Sequence, residues 1–310
     1  MATSKDNKTR ERLIATPRKR KSTIPPDEDV RYVTRLVLKK RKLLAEDAEA
    51  DKPIRILKQE DIKKGRALGV GEFGKVFLCK VRAEDGIWRD AVLKILTLWP
   101  SMEDFVRETE CLQKLQGIKG VPVLYGRKFS PDLAFVMSYC GGKTLEKFLE
   151  DNSSNIPKIC QVLSRTAAIL SAIHRRGISH NDLHSENVMV DETSIPGQSL
   201  PKIIDFGYAM AFGSVLFPEA LEDWADFHYD PVVSRDCGTT SAQTDIYSFA
   251  KLISRIPDGK KWKQQMNLER LVERALSTNK NIRPSLEEFR RVLLHVKRLE
   301  ETKRRRKKKE

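Results

Sequence analysis

Cysteine is scarce in this chain, five in 310 residues. Cys79, Cys111, Cys140, Cys160 and Cys237 are widely spread, odd in number and never arranged as CxxC. That pattern suits free thiols in a reducing compartment, and it supplies neither a disulfide framework nor a zinc site. The five histidines show no HExxH or other metal-ligand spacing. No apolar run reaches the roughly 18–20 residues needed to span a bilayer, so no transmembrane helix is expected. The first dozen residues are polar and lack an apolar signal core, which argues against secretion.

Charge of one sign is missing from the middle of the chain. Lys+Arg 58 against Asp+Glu 43 give a formal net charge of +15. Residues 1–64 account for +8 and residues 297–310 for +6, leaving +1 for residues 65–296. The basicity belongs to the ends, so the middle does not read as a nucleic-acid surface. A hydrophobic content of 40% supports a real core and excludes wholesale disorder. The length fits one large domain with tails, or two modest lobes.

Residues 1–61 read as a basic, mostly disordered tail, with one helix expected over residues 30–49. Globular texture begins at Ile62. Leu68, Val70, Phe73, Val76 and Phe77 interleave with four glycines, which predicts two strands joined by a flexible turn. Residues 91–96 and 133–139 read as further strands. Between them, Phe105, Val106, Leu112 and Leu115 fall at helical spacing over residues 102–115. After Gly141-Gly142 the texture turns helical, over 145–150, 157–176, 244–255, 268–276 and 285–299. A strand-rich first part and a helix-rich second part predict an α+β fold of two lobes in one domain over 62–297. Residues 298–310 read as a basic C-terminal tail.

Three segments carry chemistry. Gly69-Val70-Gly71-Glu72-Phe73-Gly74-Lys75-Val76 is a glycine-rich run whose N–H groups can approach a triphosphate without side-chain obstruction. Strands on both sides favour a hairpin flap over the turn that leads into a helix in dinucleotide-binding folds. Lys94, in Ala91-Val92-Leu93-Lys94, suits a point charge for phosphates, oriented by a carboxylate. Glu108 is the candidate partner, with Glu110 on a different helix face as the alternative. His180-Asn181-Asp182-Leu183-His184-Ser185-Glu186-Asn187 spaces an Asp and an Asn by five residues. The Asp can accept a hydroxyl proton and the Asn can coordinate Mg²⁺. Ile203-Ile204-Asp205-Phe206-Gly207 then offers a second metal-binding carboxylate behind a hydrophobic strand.

In this order and spacing, the segments resemble the protein kinase family. The resemblance covers about residues 62–297. It extends to Asp245-Ile246-Tyr247-Ser248-Phe249 and to Arg283 in Asn281-Ile282-Arg283-Pro284-Ser285. It implies a bilobal fold, ATP and Mg²⁺ as cofactors and a protein substrate. Asp182 would be the catalytic base, Asn187 and Asp205 the Mg²⁺ ligands, and Lys94 with Glu108 the holders of the α/β-phosphates. Gly69, Val70, Gly71, Gly74 and Val76 would cover ATP, with Val76 and Ala91 against the adenine. Met137 would stand beside that pocket, followed by a hinge over residues 138–140 that includes Tyr139. His180 and Phe206 would join the lobes by packing. His174 and Trp99 receive no role.

The pattern also departs from the family. Asn181 stands where many protein kinases carry the arginine that receives an activation-segment phosphate, so activity without such a phosphate is expected. His184 replaces the usual phosphate-contacting lysine. No Ala-Pro-Glu is present; Phe217-Pro218-Glu219 is the nearest approach, and an acidic-aromatic stretch follows over 222–229. His180-Asn181-Asp182-Leu183-His184 also resembles the loop of small-molecule kinases. A nucleotide-binding scaffold without turnover is the third reading. The Ser185-Glu186-Asn187 ending favours a serine/threonine kinase. Arg18-Lys19-Arg20-Lys21 and the basic run 303–309 resemble import signals, which predicts nuclear and cytoplasmic residence and weak polyanion contact. Nothing in the sequence fixes the oligomeric state.

Overall fold

The computed structural model describes residues 53–71, 74–96, 102–195, 197–215, 229–231, 238–256 and 268–307. The helix expected over 30–49, the basic run 18–21 and Trp99 lie outside them. Five antiparallel strands form the N-terminal lobe: β1 (Ile62–Gly71), β2 (Gly74–Arg82), β3 (Trp88–Leu96), β4 (Leu124–Lys128) and β5 (Ala134–Ser138). Their order across the sheet is β1-β2-β3-β5-β4. Alternation along β2, β3 and β5 sends Cys79, Val81, Ala91, Leu93, Ala134 and Val136 into one apolar cluster with Leu57 and Ile62.

The N-terminal boundary at residue 61 moves outward. Leu57 is buried in this cluster, and its N–H donates to the Arg127 carbonyl at 2.7 Å. The Asp61 carboxylate accepts from Arg82 and pairs with Arg55, which ties the lead-in segment to the sheet.

The first helix, α1 (Met102–Lys114), crosses this lobe with Phe105, Val106, Glu108, Thr109, Cys111 and Leu112 buried. A carboxylate within such an apolar stripe must find a partner, and Glu108 does. The helical lobe contains α2 (Leu145–Asp151), α3 (Ile156–His174), α4 (Ala242–Ser254), α5 (Leu268–Ala275) and α6 (Leu286–Lys307). Its core helix is α3, which buries Ile159, Leu163, Leu170 and Ile173. By length and composition α3 could cross a bilayer, yet most of it is buried inside the lobe. On α6, Leu286, Phe289, Leu293 and Val296 repeat at three- and four-residue steps and face inward. Phe289 meets Phe249 of α4 edge-on at 5.4 Å.

The boundary drawn at 297 falls within α6, which runs unbroken to Lys307. Arg304 donates to Asn155 and to the Ser154 carbonyl just before α3, so the basic run 303–307 is helical and tethered. Short strands that periodicity cannot register complete the lobe. They are β6 (Lys143–Thr144), β8 (Val188–Asp191) and β9 (Leu200–Ile203) in one sheet, and β7 (Ile178–Ser179) with β10 (Met210–Ala211) in another.

Candidate active site

β3 fixes Lys94 opposite Val76 of β2 and Phe135 of β5. The lysine is 4% exposed, and its ammonium donates to Glu108 Oε1 at 2.7 Å and to Asp205 Oδ1 at 2.9 Å. Burial works against the charge on Lys94, but the Glu108 and Asp205 carboxylates outweigh it and hold the ammonium above the ordinary lysine range. Burial pushes the Glu108 carboxyl up against the pull of Lys94. On Asp205 burial acts in the same sense but is overcome by Lys94, which holds that carboxyl below the usual range. Of the two candidates on α1, Glu108 is the one that meets Lys94; Glu110 is half-buried on another face.

Strand alternation corrects one expectation. Residues paired across an antiparallel ladder share a face. Val76 pairs with Lys94, and Val92 with Met137, so Val76, Val92 and Met137 share the lysine's side of the sheet. Ala91 points the other way, into the apolar cluster with Cys79 and Leu93. Val92 is therefore the β3 residue on the lysine's face, and Ala91, expected against the adenine, lies on the opposite face. Val70 is 74% exposed, and a Cβ at Gly69 or Gly71 would meet nothing within 4 Å, so the flap is open above the sheet. Gly74 is different: at φ +153° its Cβ would come 2.2 Å from the Ile95 carbonyl oxygen, so only glycine fits. The flap's tip, Glu72 and Phe73, lies outside the described residues. Tyr139, at the end of the β5 connection, is exposed.

The catalytic loop hangs from Asp245 on α4. Its buried carboxylate accepts from the backbone N–H of His180 at 2.8 Å and of Asn181 at 2.7 Å, and from His174 Nε2 at 2.7 Å. His174 thereby acquires a role that its lone position in the sequence did not reveal. Asn181 (φ 64°) and Asp205 (φ 59°) are the two described non-glycine residues in the left-handed region. Both mark points where the chain turns a functional group into the seam between the lobes. His180 stacks edge-on against Phe206 at 4.9 Å and its Nε2 meets the Ile204 carbonyl, so both are packing elements.

Pairing of Val188 with Ile203 across β8 and β9 brings Asn187 beside Asp205 in the chain's path. The Asn187 side-chain amide donates to Asp182 Oδ2 at 2.8 Å and to the Asp182 carbonyl at 2.9 Å. Tyr229 donates its phenolic hydroxyl to the other carboxylate oxygen of Asp182 at 3.0 Å. With its N–H groups committed to Asp182, Asn187 presents its amide oxygen as the remaining donor atom. The Asp205 side chain is 38% exposed, whereas Lys94 beside it is closed off. One carboxylate and one amide oxygen fit a hard divalent cation that takes its other ligands from phosphates and water. The Asp182, Asn187, Lys94, Glu108 and Asp205 assignments thus come together in one site.

The acid anchored by Arg283 is Asp230. The guanidinium grips both its carboxylate oxygens, and neither side chain is exposed to solvent. Phe217-Pro218-Glu219 lies outside the described residues, and the observed anchor of the segment is Tyr229-Asp230-Pro231. Arg107 of α1 donates to the Gly207 carbonyl at 2.9 Å, which joins the helix to the start of the same segment.

A protein kinase domain model matches residues 62–298. The chain belongs to the protein kinase family. Its curated relatives include calcium-dependent protein kinase 6 of Oryza sativa subsp. japonica, 30% identical over 48% of this chain and 28% of that protein. A leaf rust 10 disease-resistance locus receptor-like protein kinase-like protein of Arabidopsis thaliana is 27% identical over 63% of this chain and 28% of its own. A probable serine/threonine-protein kinase of Clostridium acetobutylicum is 30% identical over 40% and 18%. The matched stretch spans less than a third of each of these relatives' lengths. Bilobal architecture and use of ATP with a divalent metal follow from the family. The sequence alone gives no role to Val92, Asp230 or His174, and places Tyr229 only in the acidic-aromatic stretch 222–229. Only Val92 had a readable signal, the two-residue step to Lys94.

Proposed function

We propose that this chain transfers the γ-phosphoryl group of ATP to serine or threonine hydroxyls of proteins, with Mg²⁺ as the metal. The observation that carries the reading is the closed set Glu108–Lys94–Asp205 next to Asp182–Asn187, with contacts of 2.7 to 2.9 Å. Asn187 and Asp205 would hold Mg²⁺, which when bound neutralises phosphate charge and aligns the γ-phosphoryl group. Lys94, kept charged by its two carboxylates, binds the α/β-phosphates. Asp182, oriented by Asn187, takes the proton of the accepting hydroxyl. Positioning and charge stabilisation then supply most of the rate. The Ser185-Glu186-Asn187 ending and the serine/threonine kinase among the relatives support the hydroxyl preference.

The protein-substrate reading is tested with labelled ATP against protein and metabolite acceptors side by side, with and without Mg²⁺, followed by phosphoamino-acid analysis. Label in protein phosphoserine or phosphothreonine supports it. Label in a metabolite alone assigns a small-molecule kinase. Nucleotide-induced thermal stabilisation without transfer assigns a scaffold. We also propose residence in nucleus and cytoplasm, with weak polyanion contact through residues 18–21 and 303–309. Imaging of tagged full-length and truncated chains tests this, and identical cytoplasmic distributions would reduce the runs to solvated charge.

A further inference from the structure

An arginine is buried under the helix that carries Glu108. Arg127 lies on β4, the last strand of the sheet, and is 5% exposed. Both Arg127 and Lys94 pair with Phe135 of β5, one from each side, so they share one face of the sheet. On that face Arg127 Nε donates to the Thr109 hydroxyl at 2.6 Å and Nη2 to the Val106 carbonyl at 3.1 Å. The guanidinium carbon lies 5.7 Å from the centre of the Phe105 ring. Thr109 in turn donates its hydroxyl to the Phe105 carbonyl at 2.8 Å. Val106 and Thr109 bracket Glu108 on one turn of α1, and Glu108 is the carboxylate that meets Lys94.

The backbone of Arg127 is held as well as its side chain. Its N–H donates to the Arg55 carbonyl at 2.8 Å, and its carbonyl accepts from the Leu57 N–H at 2.7 Å. The lead-in segment thus covers the open edge of β4 through a parallel bridge from Ile56 to Arg127. Gly126 permits that approach, since a Cβ there would stand 2.5 Å from the Arg55 carbonyl oxygen. This lead-in precedes the matched domain, which starts at residue 62. An apolar side chain would fill the space under α1 without the cost of burying a cation. What the planar fork adds is direction: donors at fixed angles set both the height and the rotation of the helix against the sheet.

We propose that Arg127 is a positioning residue for phosphoryl transfer: fixed from behind by residues 55–57, it sets α1 so that Glu108 reaches Lys94. The inference rests on the reading of Lys94 and Glu108 as the phosphate grip. Glu108 needs such a hold, because burial opposes its charge and Asp205 competes for the same ammonium. A helix displaced by about 1 Å would break the 2.7 Å contact and leave Lys94 to Asp205, and misplacement of that size costs about 10²-fold in rate. Arg127 acts through Glu108, which gives it a signature that general packing lacks.

Transfer from labelled ATP to myelin basic protein, and the nucleotide-induced thermal shift, are measured on full-length protein. Wild type is compared with Arg127→Met and Thr109→Val, each alone and combined with Glu108→Gln, and with Glu108→Gln itself. Arg127→Met keeps an apolar filler and loses the fork, so turnover should fall by about 10–100-fold. Thr109→Val removes one acceptor from the α1 side and should lower turnover by less. In the Glu108→Gln background either change should cost no more than about twofold further, because the contact it serves is already gone. A folded Arg127→Met with wild-type turnover overturns the inference and leaves the kinase reading standing. An equal loss in both Glu108 backgrounds does the same, since a merely structural role gives that result. If Arg127→Met lacks a cooperative thermal transition, Thr109→Val decides by the same comparison. No label from wild type overturns the kinase reading itself.

Discussion

The two clusters that meet at the seam between the lobes are built on different principles. Around Lys94 the structure uses charge: one ammonium between two carboxylates, at 2.7 and 2.9 Å, largely shut off from water. Around Asp182 it uses directed hydrogen bonds. Asp245 holds the loop backbone, Asn187 holds one oxygen of the base, and Tyr229 holds the other. A charged cluster tolerates small displacements but depends on every member being ionised. A hydrogen-bonded loop is precise and depends on donors and acceptors being matched one for one. The first suits gripping a polyphosphate, and the second suits placing a single proton acceptor.

The sharpest way to separate the two is to remove one carboxylate from each. Asp182→Asn should keep nucleotide-induced thermal stabilisation while transfer falls by about 10²–10⁴, the usual worth of a general base. Asp205→Asn should lose both, because the nucleotide grip and the metal ligand go together. Steady-state labelling beside a thermal-shift titration reads the contrast. An Asp182→Asn protein with wild-type turnover would sink the assignment of the base.

A second comparison lies within the helical lobe. Arg283→Ala leaves Asp230 as a buried carboxylate without its cation, and about 3–5 kcal/mol of stability should be lost. Replacing the pair together, Arg283→Met with Asp230→Leu, should restore much of that loss, since both charges are then gone. Urea unfolding of the single and double variants measures it. A single variant within about 1 kcal/mol of wild type would show that the ion pair is not an anchor.

These pairs also show what a sequence can disclose. Glycine spacing, the lysine after an apolar strand, and an Asp and Asn five residues apart are local patterns, and the structure brought them together as expected. Asp245 and Arg283 were recognisable too, but not their partners. His180 lies 65 residues from Asp245, and Asp230 lies 53 from Arg283. Such contacts are set by how the helical lobe closes, which periodicity does not encode. Ala91 was misplaced for a smaller reason: four apolar residues in a row conceal which way the pleat points, and only the ladder register shows it. Strands of two to four residues, such as β6 and β7, are too short to display a period at all.

The acidic groups of the periphery and the seam respond to pH in different senses. Lys158 and Lys143, with burial opposing them, hold the Glu192 carboxyl down to about 2. Its folded value lies below its unfolded one, so its contribution to stability is present above the usual glutamate value and is lost as pH falls toward 2. Asp205, also lowered, acts in the same direction. Glu108 is raised, so ionising it weakens the fold as pH climbs through its folded value. Glu192→Gln should therefore lower neutral stability and flatten the decline between about pH 5 and 2, the two proteins converging in acid. Denaturation midpoints across that range test it. A decline as steep as wild type would show that Lys143 and Lys158 do not depend on Glu192.

The smallest effect belongs to the end of α6. Residues 303–307 continue the helix, and Arg304 reaches back to Asn155 and the Ser154 carbonyl, just before the start of α3. Those contacts are solvent-exposed, where polar pairs contribute about 0–1 kcal/mol. The inward-facing residues of α6 end at Val296, well before this turn. Deleting residues 302–310 should therefore lower stability by no more than about 1 kcal/mol and leave ATP turnover on a short peptide intact. It should also remove most of the net charge at this end of the chain and weaken salt-sensitive binding to heparin. Turnover, denaturation midpoint and heparin elution of the truncated and full chains can be compared directly. A loss of turnover with the midpoint unchanged would mean that this exposed turn takes part in binding the substrate, and that the helix beyond Val296 does more than carry charge.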